Sequence, residues 1–549
     1  TDNNRNISFD LINGVKIYGG FAGQETKLEQ QNCTTNLTSI SGDIGIKNDN
    51  FDNSKHVVTA NGVDRNTLLN CLIIANGNAD ECGGGMFNDH ASPTMQYLLF
   101  ENNHAKYGAG LCNINGSNPL IQTSMFTKNI ANQEGGGIYN NASNPVMCNI
   151  FVEKNTAMIQ GAGILNDNSS PLITHSIINK NIANNGAGMA NFNNSKPLIG
   201  HLILTDNNAT QSAGAMLNDN SYPIITQSTI AFNKTGIENH SSFPTINNSI
   251  LWDITPIINK ENSATTVTYS IIKNGWEGKG NKSSDPLFSK DDIHLQPQSQ
   301  AIDAGNNDLV PQYLANSACD VFDSDNVDFD GKTRVVDGNA DGINTVDMGV
   351  HEASFSFTYS LTVELTGEGY GSVVSNGIDC GNDCFHNYSS GIDILLTAIA
   401  DPNSVFNGWS GDCASNGLVK MIGTKKCQAH FDLSTTILPE SVEERTCSSG
   451  NVINTTCNFG WDTAEDIWIE EKGNVSHIIV NTDIKNKGRI ANAEVTEGNQ
   501  VTGGILSGYI DNKGTLADFE FLGAEIKGGK LAGNIVNNSD ISVNGIIID

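Results

Sequence analysis

Apolar positions come in short bursts separated by glycine, asparagine and proline, and from Gly83 to Asn239 the bursts recur with a long, nearly constant period. Gly83-Gly84-Gly85-Met86-Phe87-Asn88 returns as Gly108-Ala109-Gly110-Leu111-Cys112-Asn113, Gly135-Gly136-Gly137-Ile138-Tyr139-Asn140, Gly161-Ala162-Gly163-Ile164-Leu165-Asn166 and Gly186-Ala187-Gly188-Met189-Ala190-Asn191. Degenerate copies end at Asn218 and Asn239, so the closing asparagines lie 25, 27, 26, 25, 27 and 21 residues apart. Self-similarity at such a period marks a solenoid. A proline resets each repeat (Pro93, Pro119, Pro145, Pro171, Pro197, Pro223, Pro244). Two residues on stands an apolar side chain (Met95, Ile121, Met147, Ile173, Ile199, Ile225, Ile246), and seven on another (Phe100, Phe126, Val152, Ile178, Leu204, Ile230, Leu251). Ten residues after all but the last proline comes an asparagine, Asn103 through Asn233. No apolar run has the length or the three-to-four residue spacing of an amphipathic helix, so the repeat predicts short strands.

Three short strands per repeat describe one coil of a parallel β-helix, which buries its inward residues only by stacking on neighbours about 4.8 Å away. Ile173, Ile199 and Ile225 are expected as consecutive rungs of one inward column. Asparagine at a fixed corner tolerates left-handed backbone and can stack its amides from coil to coil. Glycine at another corner removes the steric cost of positive φ.

The expected organisation is a β-helix over residues 1–280, a C-terminal cap at 281–353, a small β-rich module at 354–434 and a second, shorter β-solenoid at 435–549. Val15–Gly23, Leu37–Asp43 and Leu72–Ala79 read as opening coils of the first solenoid. In the last segment, Gly503-Gly504-Ile505-Leu506 returns 25 residues later as Gly528-Gly529-Lys530-Leu531. The chain opens without methionine and stops inside a repeat, which reads as a slice of a longer exported protein.

The order of Gly19-Gly20-Phe21-Ala22-Gly23, Ser41-Gly42-Asp43, Gly77-Asn78-Ala79 and the glycine-triplet coils resembles exported bacterial proteins with right-handed parallel β-helix repeats, including polymorphic outer-membrane repeats. Asp328-Phe329-Asp330-Gly331-Lys332-Thr333-Arg334, followed by Val346-Asp347-Met348-Gly349-Val350-His351-Glu352, resembles the end of the choice-of-anchor Q subset. That resemblance, over about residues 10–353, implies a right-handed helix and a secreted or cell-surface location, with no catalytic motif to carry over. Ile378-Asp379-Cys380, Asp383-Cys384, Gly408-Trp409-Ser410-Gly411-Asp412-Cys413 and Cys427 are similar to the divergent internalin-type B repeat, a stalk or adhesion module.

Charge narrows the partners. With 30 basic against 60 acidic residues the net charge is −30, which disfavours nucleic acid because no basic patch is available to release phosphate counterions. No stretch is apolar enough over about 20 residues to cross a membrane as a helix. Twelve cysteines favour an oxidising compartment. Local disulfides are expected at Cys380–Cys384, Cys413–Cys427 and Cys447–Cys457, whereas Cys112 and Cys148, at repeat positions, are expected as free buried thiols.

Two constellations could carry chemistry. Asp337, Asn339 and Asp341 place oxygen ligands at alternate positions of a glycine-containing loop that ends on Asp347, the arrangement that lets a turn converge on calcium, with Asp328 and Asp330 as outer contributors. The last acid comes one residue early for an EF-hand, and the competing reading is a solvated acidic turn. The second is a pair of columns. Lys128, Lys154 and Lys180 form a ladder, and His175 and His201 continue a column of Tyr97, Thr123, Asn149, Gln227 and Asn248. On an outward strand face, His175, His201 and Lys180 would be the candidates for a polysaccharide lyase acting on acidic glycans, though residues 83–250 hold no arginine and only eight scattered acids. The sequence therefore favours an extracellular multi-module structural or adhesion protein that binds glycans or cell-surface components, without catalysis. The alternative is a polysaccharide lyase or glycosidase.

Overall fold

The computed structural model describes residues 4–47, 49–290, 293–310, 319, 327–355 and 357–434, and the backbone of the strands between 452 and 548. Among them the regular structure is β, with two single-turn 3₁₀ segments and no α-helix. The chain divides into two units, Thr1–Phe355 and Ser356–Asp549.

The first unit is a parallel β-solenoid. Strands such as Met86–Asp89, Leu111–Ile114 and Ile138–Asn141 build a ten-stranded sheet, pairs such as Thr94–Gln96 and Leu99–Glu101 an eighteen-stranded one, and His104–Tyr107 and its successors a five-stranded one. All pairings within these sheets are parallel, and each residue faces its counterpart one repeat away: Ile173 pairs with Ile199, and Ile199 with Ile225. Both apolar columns set by the prolines are fully buried. A third column, Met86 to Ile257, closes the same core from the ten-stranded sheet. Phe100 and Phe126 stack with centroids 4.6 Å apart.

The glycine triplets divide three tasks. The first glycine is left-handed (φ 76° at Gly83, 53° at Gly108, 67° at Gly135). The middle position accepts alanine, and Ala109, Ala162 and Ala187 join a buried alanine column. At the third, Gly110 has no room for a side chain, since a Cβ there would lie 2.5 Å from the Gly137 carbonyl of the next coil.

The asparagines are not the left-handed corner residues. The residue before each one takes that conformation (Asn102, Lys128, Lys154, Lys180, Asp206), which frees Asn103 to Asn233 to turn inward. There each amide nitrogen donates to the next amide oxygen, Asn155 to Asn181 at 3.1 Å and Asn181 to Asn207 at 3.0 Å, and also to a carbonyl 29 residues back. The closing asparagines form a second ladder, buried from Asn88 to Asn239 and ending on the exposed Asn259, linked at 2.8–2.9 Å. The expected stacking of amides holds; its place in the backbone differs.

Three further expectations are corrected. Lys16–Tyr18 and Ser39–Ser41 belong to one coil, because they pair with Leu68–Asn70 and Ile73–Ala75 of the next. Residues 19–38 are an insertion within that coil, pinned by Cys33–Cys71. The segment expected as an end cap runs back along the flank: Gly349 N donates to Asn248 O, Val350 N to Thr229 Oγ1, and Cys319 is bonded to Cys148. The end itself is stoppered by Trp276, packed on the core, and by Asn281, which accepts from Ser270 N at 3.1 Å. Finally, Cys112 is paired with Cys82 and Cys148 with Cys319, so neither is a free thiol.

In the second unit, residues 358–433 form a small β module. Its four-stranded sheet runs Phe385–Ser389, Thr358–Thr366, Lys425–Leu433 and Ser404–Gly411. Leu361, Val363, Val373, Val419 and Phe431 make its core, and Cys380–Cys384 and Cys413–Cys427 are bonded as expected. Cys447–Cys457 lies outside the described residues. From 452 to 548 the backbone again stacks parallel strands in two sheets. Ile505 pairs with Glu520 and Thr515 with Lys530, so a coil advances 15 residues, not the 25 of the glycine motif.

Candidate functional site

The histidine column is a stack of left-handed corners: φ is 45° at Thr123, 52° at Asn149, 46° at His175, 51° at His201 and 46° at Gln227. At this flank the returning segment 327–353 lies over the solenoid. His175 is 6% exposed and His201 0%, so the face expected to be outward is covered. Their rings sit 4.3 Å apart, and Phe329 lies 6.4 Å from His175. Burial pushes the His175 imidazole down to about 4, with the Arg334 charge adding and the Val327 backbone opposing. Burial, then Arg334 and His175, hold His201 well below its ordinary value. Both rings are neutral at pH 7. Lys128, Lys154 and Lys180, by contrast, are exposed, each at a left-handed corner.

Arg334 anchors the cover. It is fully buried, its Nη1 3.3 Å from Glu352 Oε2 and its Nη2 donating to Gly349 O at 2.9 Å. Asp328 accepts from the N–H groups of Asp330, Lys332 and Glu352, which fixes the turn at 328–332 against the backbone of Glu352. Asp347 accepts from Asp303 N and Ala353 N, both at 2.7 Å. One guanidinium faces three buried carboxylates here. Burial raises the Glu352 and Asp347 carboxyls, Glu352 also through the charges of Asp347 and Asp328, and Asp347 also through that of Asp303.

The acidic loop is tightly self-bonded. Asp337 accepts from Asp341 N and Gly342 N, Asn339 from Asp341 N, and Asp341 from Ile343 N. Asp303, which the sequence did not single out, joins it by accepting from Gly338 N and Asn339 N. Its carboxyl is raised by burial and by the charges of Asp337 and Asp341. Asp347 is committed elsewhere, its oxygens taken by Asp303 N and Ala353 N.

A different set of metal-ligand atoms converges on the outer side of the cover. His294 Nε2 lies 2.7 Å from Asp330 Oδ2, and His351 Nδ1 lies 3.5 Å from the same oxygen. Ligand atoms of all three residues fall within 4.8 Å of one another. The two imidazoles stack at 3.8 Å, and Lys332 Nζ approaches Asp330 Oδ2 at 3.2 Å. Sequence reading placed Asp330 only as an outer calcium contributor and passed over both histidines. They lie 36 residues before and 21 after their carboxylate partner in irregular chain, with no motif spacing to mark them.

With this geometry in view, residues 361–434 match the family model of the divergent InlB B-repeat domain. No curated protein and no solved structure matches the chain. The match coincides with the β module of 358–433 and its two disulfides. No helix among the described residues is long and apolar enough to cross a membrane.

Proposed function

We propose that the protein is a secreted or cell-surface scaffold that displays an adhesion-type module and binds glycans or other surface components without turning them over. The observation that carries this reading is the B-repeat match at 361–434 in a chain that also holds a disulfide-linked parallel β-solenoid. A lyase needs a base within hydrogen-bond reach of its substrate, and positive charge or metal for the developing enolate. His175 lies beneath Phe329 and against His201, both near the Arg334 charge, and their burial favours the neutral, inaccessible form. Support for the alternative rests on the exposed ladder of Lys128, Lys154 and Lys180 alone. The acidic loop at Asp337, Asn339 and Asp341, with Asp303 beside it, is proposed as a calcium site because their side-chain oxygens gather around one turn.

The test is a panel of acidic and neutral glycans and intact cells, scored for binding and for turnover with the full chain. Binding that saturates, without unsaturated products or new reducing ends, is expected. Turnover lost in a folded His175→Ala, His201→Ala or Lys180→Ala variant would replace the scaffold with an enzyme.

A further inference from the structure

We infer that His294, Asp330 and His351 form a binding site for one transition-metal dication of the zinc class, which ties the hairpin around Phe288 and Leu295 to the segment covering the solenoid flank. Two imidazole nitrogens and one carboxylate oxygen, all within 4.8 Å, make a three-ligand set. This donor set suits borderline ions such as Zn²⁺ or Co²⁺, whereas calcium wants six or more oxygens.

The ligands are held in place before any ion arrives. His294 sits in a short antiparallel contact, Phe288 with Leu295, where Ser289 N donates to His294 O at 2.8 Å. Asp330 and His351 are brought together by buried Asp328, whose two oxygens take the N–H groups of Asp330 and Glu352 at 2.9 and 2.7 Å. Phe329 meets the His351 ring edge-on at 6.0 Å and limits its rotation. Fixing ligands through an outer layer of hydrogen bonds is how proteins set metal affinity. Asp330 and His294 remain about one-third exposed, so an ion can enter from solvent. Three protein ligands leave a fourth position for water or for a donor from a bound partner. Lys332 competes for the Asp330 carboxylate and must swing away on binding. The ten described cysteines are all in disulfides and do not compete for the metal.

The test uses the untagged full chain, stripped of metal by EDTA and titrated with Co²⁺, following the visible absorption of a four-coordinate site, and then with Zn²⁺ by calorimetry. Saturation near one equivalent is expected, with Zn²⁺ displacing Co²⁺ and millimolar Ca²⁺ displacing neither. His294→Ala and Asp330→Asn, both at partly exposed positions, should each weaken binding by about tenfold or more while the metal-free variants still unfold cooperatively. Lys332→Ala should tighten it, a change that a purely structural role for the cluster does not produce. Absence of saturable binding, or binding unaltered by His294→Ala and Asp330→Asn, would overturn the assignment.

Discussion

Replacing Asn181 by alanine removes one link from the inner amide ladder. Four hydrogen bonds go with it: Asn155 N and Nδ2 to Asn181 Oδ1, at 2.9 and 3.1 Å, and Asn181 Nδ2 to Val152 O and Asn207 Oδ1, at 2.9 and 3.0 Å. Asn155 Nδ2 keeps Phe126 O and Asn207 Oδ1 keeps the N–H of residue 181, so the damage concentrates on the buried Asn155 N–H and the Val152 carbonyl. At about 1 kcal/mol for each of the two bonds whose partners keep another contact, and about 1–3 kcal/mol for each of the two buried groups left unmet, the change should cost roughly 4–8 kcal/mol. Because each coil touches only its neighbours, the loss should appear locally. Hydrogen exchange read by mass spectrometry should show lost protection across residues 150–210, with the coils around Val58 and Met86 little altered. Equal protection in the variant and the parent would refute the claim that the ladder bears on stability. The chain's own ending of the ladder agrees with this reasoning: Asp253 closes it where an acceptor is needed, taking Asn233 N at 2.7 Å, and burial lifts its carboxyl to about 7.

Acid should loosen the flank. His175 has a folded value of about 4 against about 6.5 when unfolded, so the unfolded chain takes up the proton first, and stability present above pH 6.5 is lost as pH falls towards 4. The shift corresponds to about 3 kcal/mol, and His201 acts in the same direction. A His175→Gln variant should flatten the fall in melting temperature between pH 6.5 and 4; an unchanged slope would contradict the burial. Calcium added to chelator-treated protein should raise the melting temperature of the first unit, and Asp341→Ala should remove the effect; a melting temperature indifferent to calcium would leave the loop as a solvated turn.

What the residues disclose in advance follows from periodicity. Pro plus two and Pro plus seven located the two buried columns because a stacked coil repeats its environment every turn, and a column of like side chains survives insertions elsewhere. The same logic misled for Cys148. It stands in the column of Gln96, Gln122, Thr174 and Thr226, polar positions outside the core, and its partner Cys319 is 171 residues away in chain without a repeat. A polar column was the available sign that this cysteine is not a core residue. The insertion at 19–38 escaped because three-residue strands such as Lys16–Tyr18 reveal no partner until the pairing with Leu68–Asn70 is seen. His294, Asp330 and His351 meet through loops, where neither period nor propensity reports proximity.

That the flank holding His175 and His201 is closed, on which the proposed scaffold reading leans, is tested most directly by peptide mapping of the natively oxidised chain without reduction. A peptide carrying Cys148 linked to one carrying Cys319 is predicted, beside Cys33–Cys71 and Cys82–Cys112. Cys148 recovered as a free thiol, or bonded to any other cysteine, would contradict the closed flank and return the histidine pair to the surface.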